Sequence, residues 1–163
     1  MSTNSIDMLK VTSNPEWATP RHVFYRLDCE FGFTLDVCAD ETNHKCGRYF
    51  GRGGMAPDGL AEDWTGETCW MNPPYGRAIV DWVRKACESA ESDGTMVVGL
   101  VPCRTDTAWW HDYVMRAAEI RFVRGRIQFG DSGQSAPFAN AIVVWGGKRT
   151  PRLSTIDFVV RRP

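Results

Sequence analysis

A chain of 163 residues, 43% apolar and 24% charged, has the make-up of one soluble globular domain, with room for a real core but not for a second module. Its net charge of −1 is unevenly spread: residues 1–103 hold 9 Lys/Arg against 15 Asp/Glu, and residues 104–163 hold 10 against 5, balances of −6 and +5. This excludes an overall basic footprint for nucleic acid but leaves one in the C-terminal part, dominated by Arg104, Arg116, Arg121, Arg124 and Arg126, where a plain solvated charged face is the alternative.

Residues 1–14 are polar and are expected to form a flexible N-terminal segment ahead of a single domain over 15–163. Pro20 opens a helix with Val23, Phe24 and Leu27 on its apolar side, ending near Gly32. Residues 33–38 (FTLDVC) read as a buried strand. A glycine-broken loop over 39–60 follows, with a short strand at 48–50. A second strand at 68–71 runs into Asn72-Pro73-Pro74-Tyr75, and a helix over 77–90 turns Ile79, Trp82, Val83 and Ala86 to one face. The apolar run 95–101 is a strand ending at Pro102. A helix is expected over 106–118, strands at 119–123 and 126–129, a Gly/Ser-rich loop over 130–137, an apolar strand at 141–145 and a last strand at 155–160.

Strands that alternate with helices, several of them apolar throughout, predict an α/β sheet covered on both faces. No run of about eighteen apolar residues exists, so no helical membrane span is expected. Neither an apolar leader with a cleavage site nor a C-x-x-C pair is present, so the six cysteines are expected to be reduced thiols in a cytoplasmic protein. Cys38, His44 and Cys46 are close in sequence but lack a second ligand pair, and no metal is expected. The seven tryptophans are spread along the chain, as core or cleft-wall residues are.

Ligands of such sheets sit at the carboxyl ends of the strands. That rule gathers Asp36 to Asp40, Asp63, Asn72 to Tyr75 and Pro102 to Asp106 along one rim. Two consecutive prolines stiffen the turn and remove two backbone donors. An amide oxygen (Asn72), a neighbouring carbonyl (Pro73) and a flat ring (Tyr75) then suit a planar NH2 group such as the exocyclic amine of adenine. Accepting both N6 hydrogens draws that nitrogen towards tetrahedral geometry and concentrates its lone pair, while Tyr75 stacks on the base. The alternative is a plain Pro-Pro turn with a capping tyrosine.

The methyl donor matching this chemistry is S-adenosylmethionine. Asp36 and Asp40 can meet its amino group or ribose, and the small Cys38 and Ala39 allow close approach. Asp63 can accept from its adenine or ribose, and Trp64 can wall its ring. Trp17, Thr19 and Pro20, after Glu16, sit where a hydroxyl and free N–H groups can receive its carboxylate. Helix caps and capped turns are the alternatives at these positions, and the Gly-x-Gly turn of many nucleotide-binding sheets is missing after the first strand.

In chain order, Glu16-Trp17-x-Thr19-Pro20, residues 30–36 (EFGFTLD), Asn43-x-x-Cys46-x-Arg48-Tyr49-Phe50, Asp63-Trp64, residues 70–75 (WMNPPY), residues 101–111 (VPCRTDTAWWH), Gly125-Arg126-x-x-Phe129-Gly130 and Ala136-Pro137-Phe138 resemble the phage-type, Dam-like DNA N6-adenine methyltransferases. The resemblance implies a compact, Rossmann-like S-adenosylmethionine-dependent methyltransferase fold with a mostly parallel sheet, helices on both faces and Asn72, Pro73, Pro74 and Tyr75 as the catalytic turn. It also implies that Leu35-Asp36 replaces the glycine motif, and that Arg104, His111 and Arg126 lie near the cleft, against phosphates of double-stranded DNA or closing the pocket. His111 can equally be a surface residue of an amphipathic helix. The expected activity is methyl transfer to a flipped adenine by a phage or prophage protein in the host cytoplasm, with protection from restriction as one candidate purpose. A monomer and a homodimer are both compatible with it. DNA sequence choice would rest on loops 51–60 and 130–138 or on a second subunit. RNA adenine and protein glutamine amides offer the same planar NH2 and remain alternative acceptors, as does a non-catalytic nucleic-acid-binding relative.

Overall fold

Pro20 sets the entry of the first helix. Its extended conformation (φ −60°, ψ 142°) leaves its carbonyl to accept from the Val23 and Phe24 N–H groups at 3.1 and 3.2 Å, so α1 runs Arg21–Phe31. Gly32, in the left-handed region at φ 66°, ends it by donating to the Asp28 carbonyl. The computed structural model describes residues 17–130, 135–147 and 152–158, so the N-terminal segment expected to be flexible lies outside the described residues.

The remaining elements are β1 (Leu35–Asp36), β2 (Thr68–Met71), α2 (Ile79–Ser89), β3 (Met96–Pro102), α3 (Ala108–Asp112), β4 (Glu119–Val123), β5 (Asn140–Gly146) and β6 (Arg152–Ile156). They form a mixed α/β fold around one six-stranded sheet of order β1-β2-β3-β5-β4-β6. Every neighbouring pair is parallel except those made by β5, which runs against both β3 and β4. The carboxyl ends of β1, β2, β3 and β4 therefore share one rim, and the amino end of β5 joins them there, since Asn140 lies opposite Pro102.

Alternation along β3 divides the core. Val97 and Val101 pack with Trp82, Val83 and Ala86 of α2 on one face. Val98 and Leu100 pack with Val23 and Leu27 of α1 on the other. Both faces are thus covered by helices, which is why the strand is apolar throughout. Gly99 has a packing reason: a Cβ there would come within 2.9 Å of the Trp145 indole, which lies across the sheet.

Several boundaries differ from the sequence expectation. β1 is a two-residue strand. The segment expected as a strand at 48–50 makes a single parallel bridge (Asp36 with Tyr49) and hydrogen-bonds around β1 instead. The loop doubles back so tightly that a Cβ on Gly51, at φ +130°, would sit 1.7 Å from the Ala39 carbonyl oxygen. The helix expected over 106–118 stops at Asp112 and resumes as one 3-10 turn (Val114–Arg116), where the Tyr113 carbonyl accepts both the Arg116 N–H at 3.4 Å and the Trp145 indole N–H at 2.9 Å. The strand expected at 126–129 is only a bridge between Gln128 and Ser135, and the last strand begins earlier, at Arg152.

The β4–β6 side is fastened by charge. Glu119, fully buried, accepts from Arg121 at 2.9 and 3.0 Å and from Arg152 at 2.8 and 2.7 Å, and Arg121 also grips Glu30. Burial pushes the Glu119 carboxyl up, but the two guanidinium groups overcome it and hold it down at about 2. A lowered folded-state value stabilises above the ordinary glutamate value of 4.5, and that contribution is lost as pH falls towards 2. Acid titration of unfolding free energy should show this loss in the wild type and a shallower slope in Glu119→Gln. Identical slopes would remove Glu119 from the acid response.

Candidate active site

The turn after β2 is held from two sides. Asn72 Nδ2 donates to the Trp17 carbonyl at 2.8 Å, which ties the segment before α1 to the turn. Only the amide nitrogen can donate to a carbonyl, so this bond also fixes which way the amide faces. Asn72 Oδ1 is left buried without a hydrogen-bond partner. Buried acceptors are almost always paired, so this oxygen, one of three unpaired buried side-chain atoms among the described residues, keeps its capacity for a donor from outside the chain.

Cavities open on both sides of the turn. On one side, a narrow slot of about 20 Å³ is lined by Trp17, Thr19, Asp36, Asn43, Lys45 and Asn72, with Pro73 also in its wall. It shares Thr19, Asn43 and Lys45 with a wider cavity of about 660 Å³ that reaches Pro20, Phe24 and His44. Thr19 is buried and lines the slot just ahead of α1. Asp36 is 2% exposed and accepts from the Lys45 N–H at 2.9 Å and the Cys38 N–H at 3.3 Å. Burial dominates those bonds and pushes its carboxyl up to about 6. A buried carboxylate at a cavity wall suits a cationic ligand group.

On the other side lies a cavity of about 590 Å³ walled by Tyr75, Pro102, Trp109 and Phe138, with Arg77 and Arg104 also in its lining. Tyr75 is half-buried. Its ring meets Phe138 edge-on at 5.2 Å and lies near-parallel to Trp17 at 6.5 Å. Its hydroxyl donates to the Leu100 carbonyl at 3.2 Å and accepts from Asn140 Nδ2 at 3.3 Å. Burial raises the phenol far above its usual range, with the Asn140 bond pulling the other way, so Tyr75 stays neutral.

The structure brings Trp17, Thr19, Pro20, Asp36 and the Asn72–Tyr75 turn together at one rim. It does not bring Asp63 and Trp64 there. The exposed Asp63 carboxylate accepts from the Thr65 N–H and hydroxyl, bonds that hold its pKa below the usual carboxylate range. Trp64 is fully buried, donates to the Gly59 carbonyl at 2.9 Å and stacks near Trp82 in the core, so it presents no face to a cavity. Ala39 is buried, bonded to the Phe50 carbonyl, and lines none of the cavities described above. Asp40 caps the turn at Thr42 and Asn43.

Of the cationic candidates, Arg104 stands at the Tyr75 cavity, 3.7 Å from Asp106. Arg126 lines a separate groove of about 390 Å³ with His22 and Arg124. His111 is exposed on α3 and bonded to the Thr105 carbonyl at 2.9 Å. Glu16 and residues 131–134 of the second loop lie outside the described residues. Among the described residues no three His, Cys, Asp or Glu side chains converge to hold a metal. His44 instead bonds the Cys46 carbonyl and stacks on Tyr49 at 4.3 Å.

The sequence expectations give no role to Lys45 or Asn140, which the structure places at the slot and against the Tyr75 hydroxyl.

Comparison with known proteins adds an independent line. A family model described as DNA N-6-adenine-methyltransferase (Dam) matches residues 7–156. The chain is also 35% identical over 118 residues to the DNA N-6-adenine-methyltransferase of Haemophilus phage HP1 (strain HP1c1). That aligned stretch spans 69% of this chain and 65% of the phage protein's length. With its proline-stiffened amide turn between two cavities, the chain belongs to the DNA N-6-adenine-methyltransferase (Dam) family.

Proposed function

We propose that the protein is a site-specific DNA adenine N6-methyltransferase that takes its methyl group from S-adenosylmethionine and acts on an adenine flipped out of double-stranded DNA. The observation that carries this is the unpaired Asn72 Oδ1, immobilised by the Nδ2 bond to Trp17 and set in the turn between two cavities. The sheet supports a Rossmann-like methyltransferase arrangement, with parallel strands delivering the site residues to their carboxyl ends and helices on both faces.

The donor fits the Asp36 side. Its wider cavity falls within the ~300–1,000 Å³ usual for ligand pockets. Asp36 meets a cationic amine, Thr19 and the start of α1 receive a carboxylate, and Trp17 and Asn43 border the slot. S-adenosylmethionine supplies an electrophilic methyl group on a positively charged sulfur. The base fits the Tyr75 side, between Tyr75, Phe138, Pro102 and Trp109. Stacking there is worth about 1–3 kcal/mol per base, comparable with the few kcal/mol that unstacking costs. Asn72 Oδ1 and the Pro73 carbonyl accept the two N6 hydrogens and localise the nitrogen lone pair. This is stabilisation by placed dipoles rather than by a strong base. Asp63, Trp64 and Ala39 are given no direct donor contact in this scheme.

Arg104 beside the base cavity, and Arg126 in the neighbouring groove, suit phosphates on either side of an extruded nucleotide. Replacing either with Ala should lower the slope of log affinity against log salt by about one. An unchanged slope would take that residue out of the DNA interface. No helix among the described residues is long and apolar enough to cross a membrane, and action in the cytoplasm of a bacterial host fits a relative from a phage.

The direct test is transfer from radiolabelled donor to duplex DNA, RNA and a glutamine-bearing protein offered in parallel. Label on N6 of adenine in duplex DNA is expected. Label on RNA or protein would reassign the acceptor, and donor binding without transfer to any of them would favour a non-catalytic relative.

A further inference from the structure

We propose that Asn140 is a positioning residue for the base platform, holding the Tyr75 ring in the plane that a flipped base stacks upon. This rests on the proposed role of Tyr75 in the reaction above. Asn140 is 1% exposed and begins β5, whose next residues on the same face are the apolar Ile142 and Val144. An amide in that row is costly, and doubly so because its Oδ1 is buried without a partner. A residue kept for packing alone would be aliphatic, like its neighbours. What the amide does make is one directed contact, Nδ2 to the Tyr75 hydroxyl, and that hydroxyl passes its own hydrogen to the Leu100 carbonyl.

The two anchors come from β3 and β5, adjacent central strands paired over seven positions. They pin the far end of a ring that also packs edge-on against Phe138 and Phe129 and near-parallel to Trp17. Aromatic contacts restrain a ring's position, whereas a donor and an acceptor at the para oxygen fix where the ring ends and how it tilts, and the preference of a phenol O–H for the ring plane couples the same two bonds to its rotation. The same stretch supplies Phe138 to the cavity, and the bond from Cys103 N–H to the Ala139 carbonyl at 2.8 Å secures it next to β3. Ring orientation and the wall formed by Phe138 are thereby set by one short segment.

The test uses Asn140→Leu, which keeps the side-chain volume and removes both the donor and the orphaned oxygen, together with Tyr75→Phe and the double variant. Asn140→Leu should melt no lower than the wild type and bind donor within two-fold of it. Its kcat should fall by about 10–100-fold, the scale of a small misplacement of a reacting group. The signal of 2-aminopurine placed at the target adenine should fall with it. Tyr75→Phe should lose a similar factor, and the double variant no more than the worse single one. Multiplying losses in the double variant, or an unchanged kcat in a well-folded Asn140→Leu, would overturn the proposal. The phenol's ultraviolet band, read against the Tyr75→Phe background, reports the contact without turnover. A band unmoved by Asn140→Leu overturns the positioning role whatever the activity, whereas absence of transfer by the wild type would overturn the acceptor assignment alone.

Discussion

Asn72→Ala is expected to lower methyl transfer by about 10²–10³-fold, the usual size of losing one preorganised polar group at a reacting centre, while donor affinity stays within a few-fold. The oxygen that would meet the amine is already desolvated, and the Nδ2 bond to Trp17 orients its amide before the base arrives. The donor is assigned mainly to Asp36 and Thr19, which Ala at 72 leaves in place, while the Trp17 carbonyl loses its Asn72 partner. Asn72→Asp separates the two halves of the side chain: it keeps an acceptor but sets a carboxylate oxygen against the Trp17 carbonyl, so its activity should lie between wild type and Ala. Single-turnover transfer and equilibrium donor binding on the same preparations decide the matter. Donor affinity falling in step with activity would make Asn72 a donor-site residue and move the acceptor elsewhere.

How much of this was legible in the chain depended on how local the physics was. The Asn72–Tyr75 turn is written in four consecutive residues, and α1, α2 and β3 are bounded by proline or glycine and patterned by burial. Trp64 was misplaced as a cleft wall because its fate is set by Gly59 and by Trp82 on α2, eighteen positions on. The break in α3 is likewise bound up with a distant residue, since the Tyr113 carbonyl there is shared between the Arg116 N–H and the indole of Trp145, 32 positions on. The slot beside the turn is assembled from residues at 17–19, 36–45 and 70–73; the sequence marks Asp36, Asn72, Pro73 and the N-terminal segment, while Lys45 joins them only in the fold. Asn140 drew no notice for a related reason: a single amide in a strand acquires meaning only when the hydroxyl above it is seen.

Asp36→Asn should separate donor binding from stability in opposite directions. A charge-assisted hydrogen bond is worth about 1.5–3 kcal/mol, so losing the carboxylate should raise the donor dissociation constant by about 10–100-fold. In the wild type that constant should also climb as pH drops below about 6, where burial leaves Asp36 protonated, and Asp36→Asn should show no such rise. Stability runs the other way. With a folded-state value near 6 against an ordinary 3.8, the native state holds its proton more tightly than the unfolded chain. Unfolding free energy attributable to Asp36 therefore falls as pH rises from 3.8 to about 6 and stays low above it, by at most ~3 kcal/mol at ~1.4 kcal/mol per pH unit. The asparagine variant, spared a buried charge, should be no less stable than wild type at pH 8, with the gap closing towards pH 4. Denaturant titrations at both pH values, beside donor binding at the same points, test the two halves together. If wild type gained stability over this interval relative to Asp36→Asn, the carboxylate would be paired within the apo protein, and the slot would have lost its reason to attract a cation.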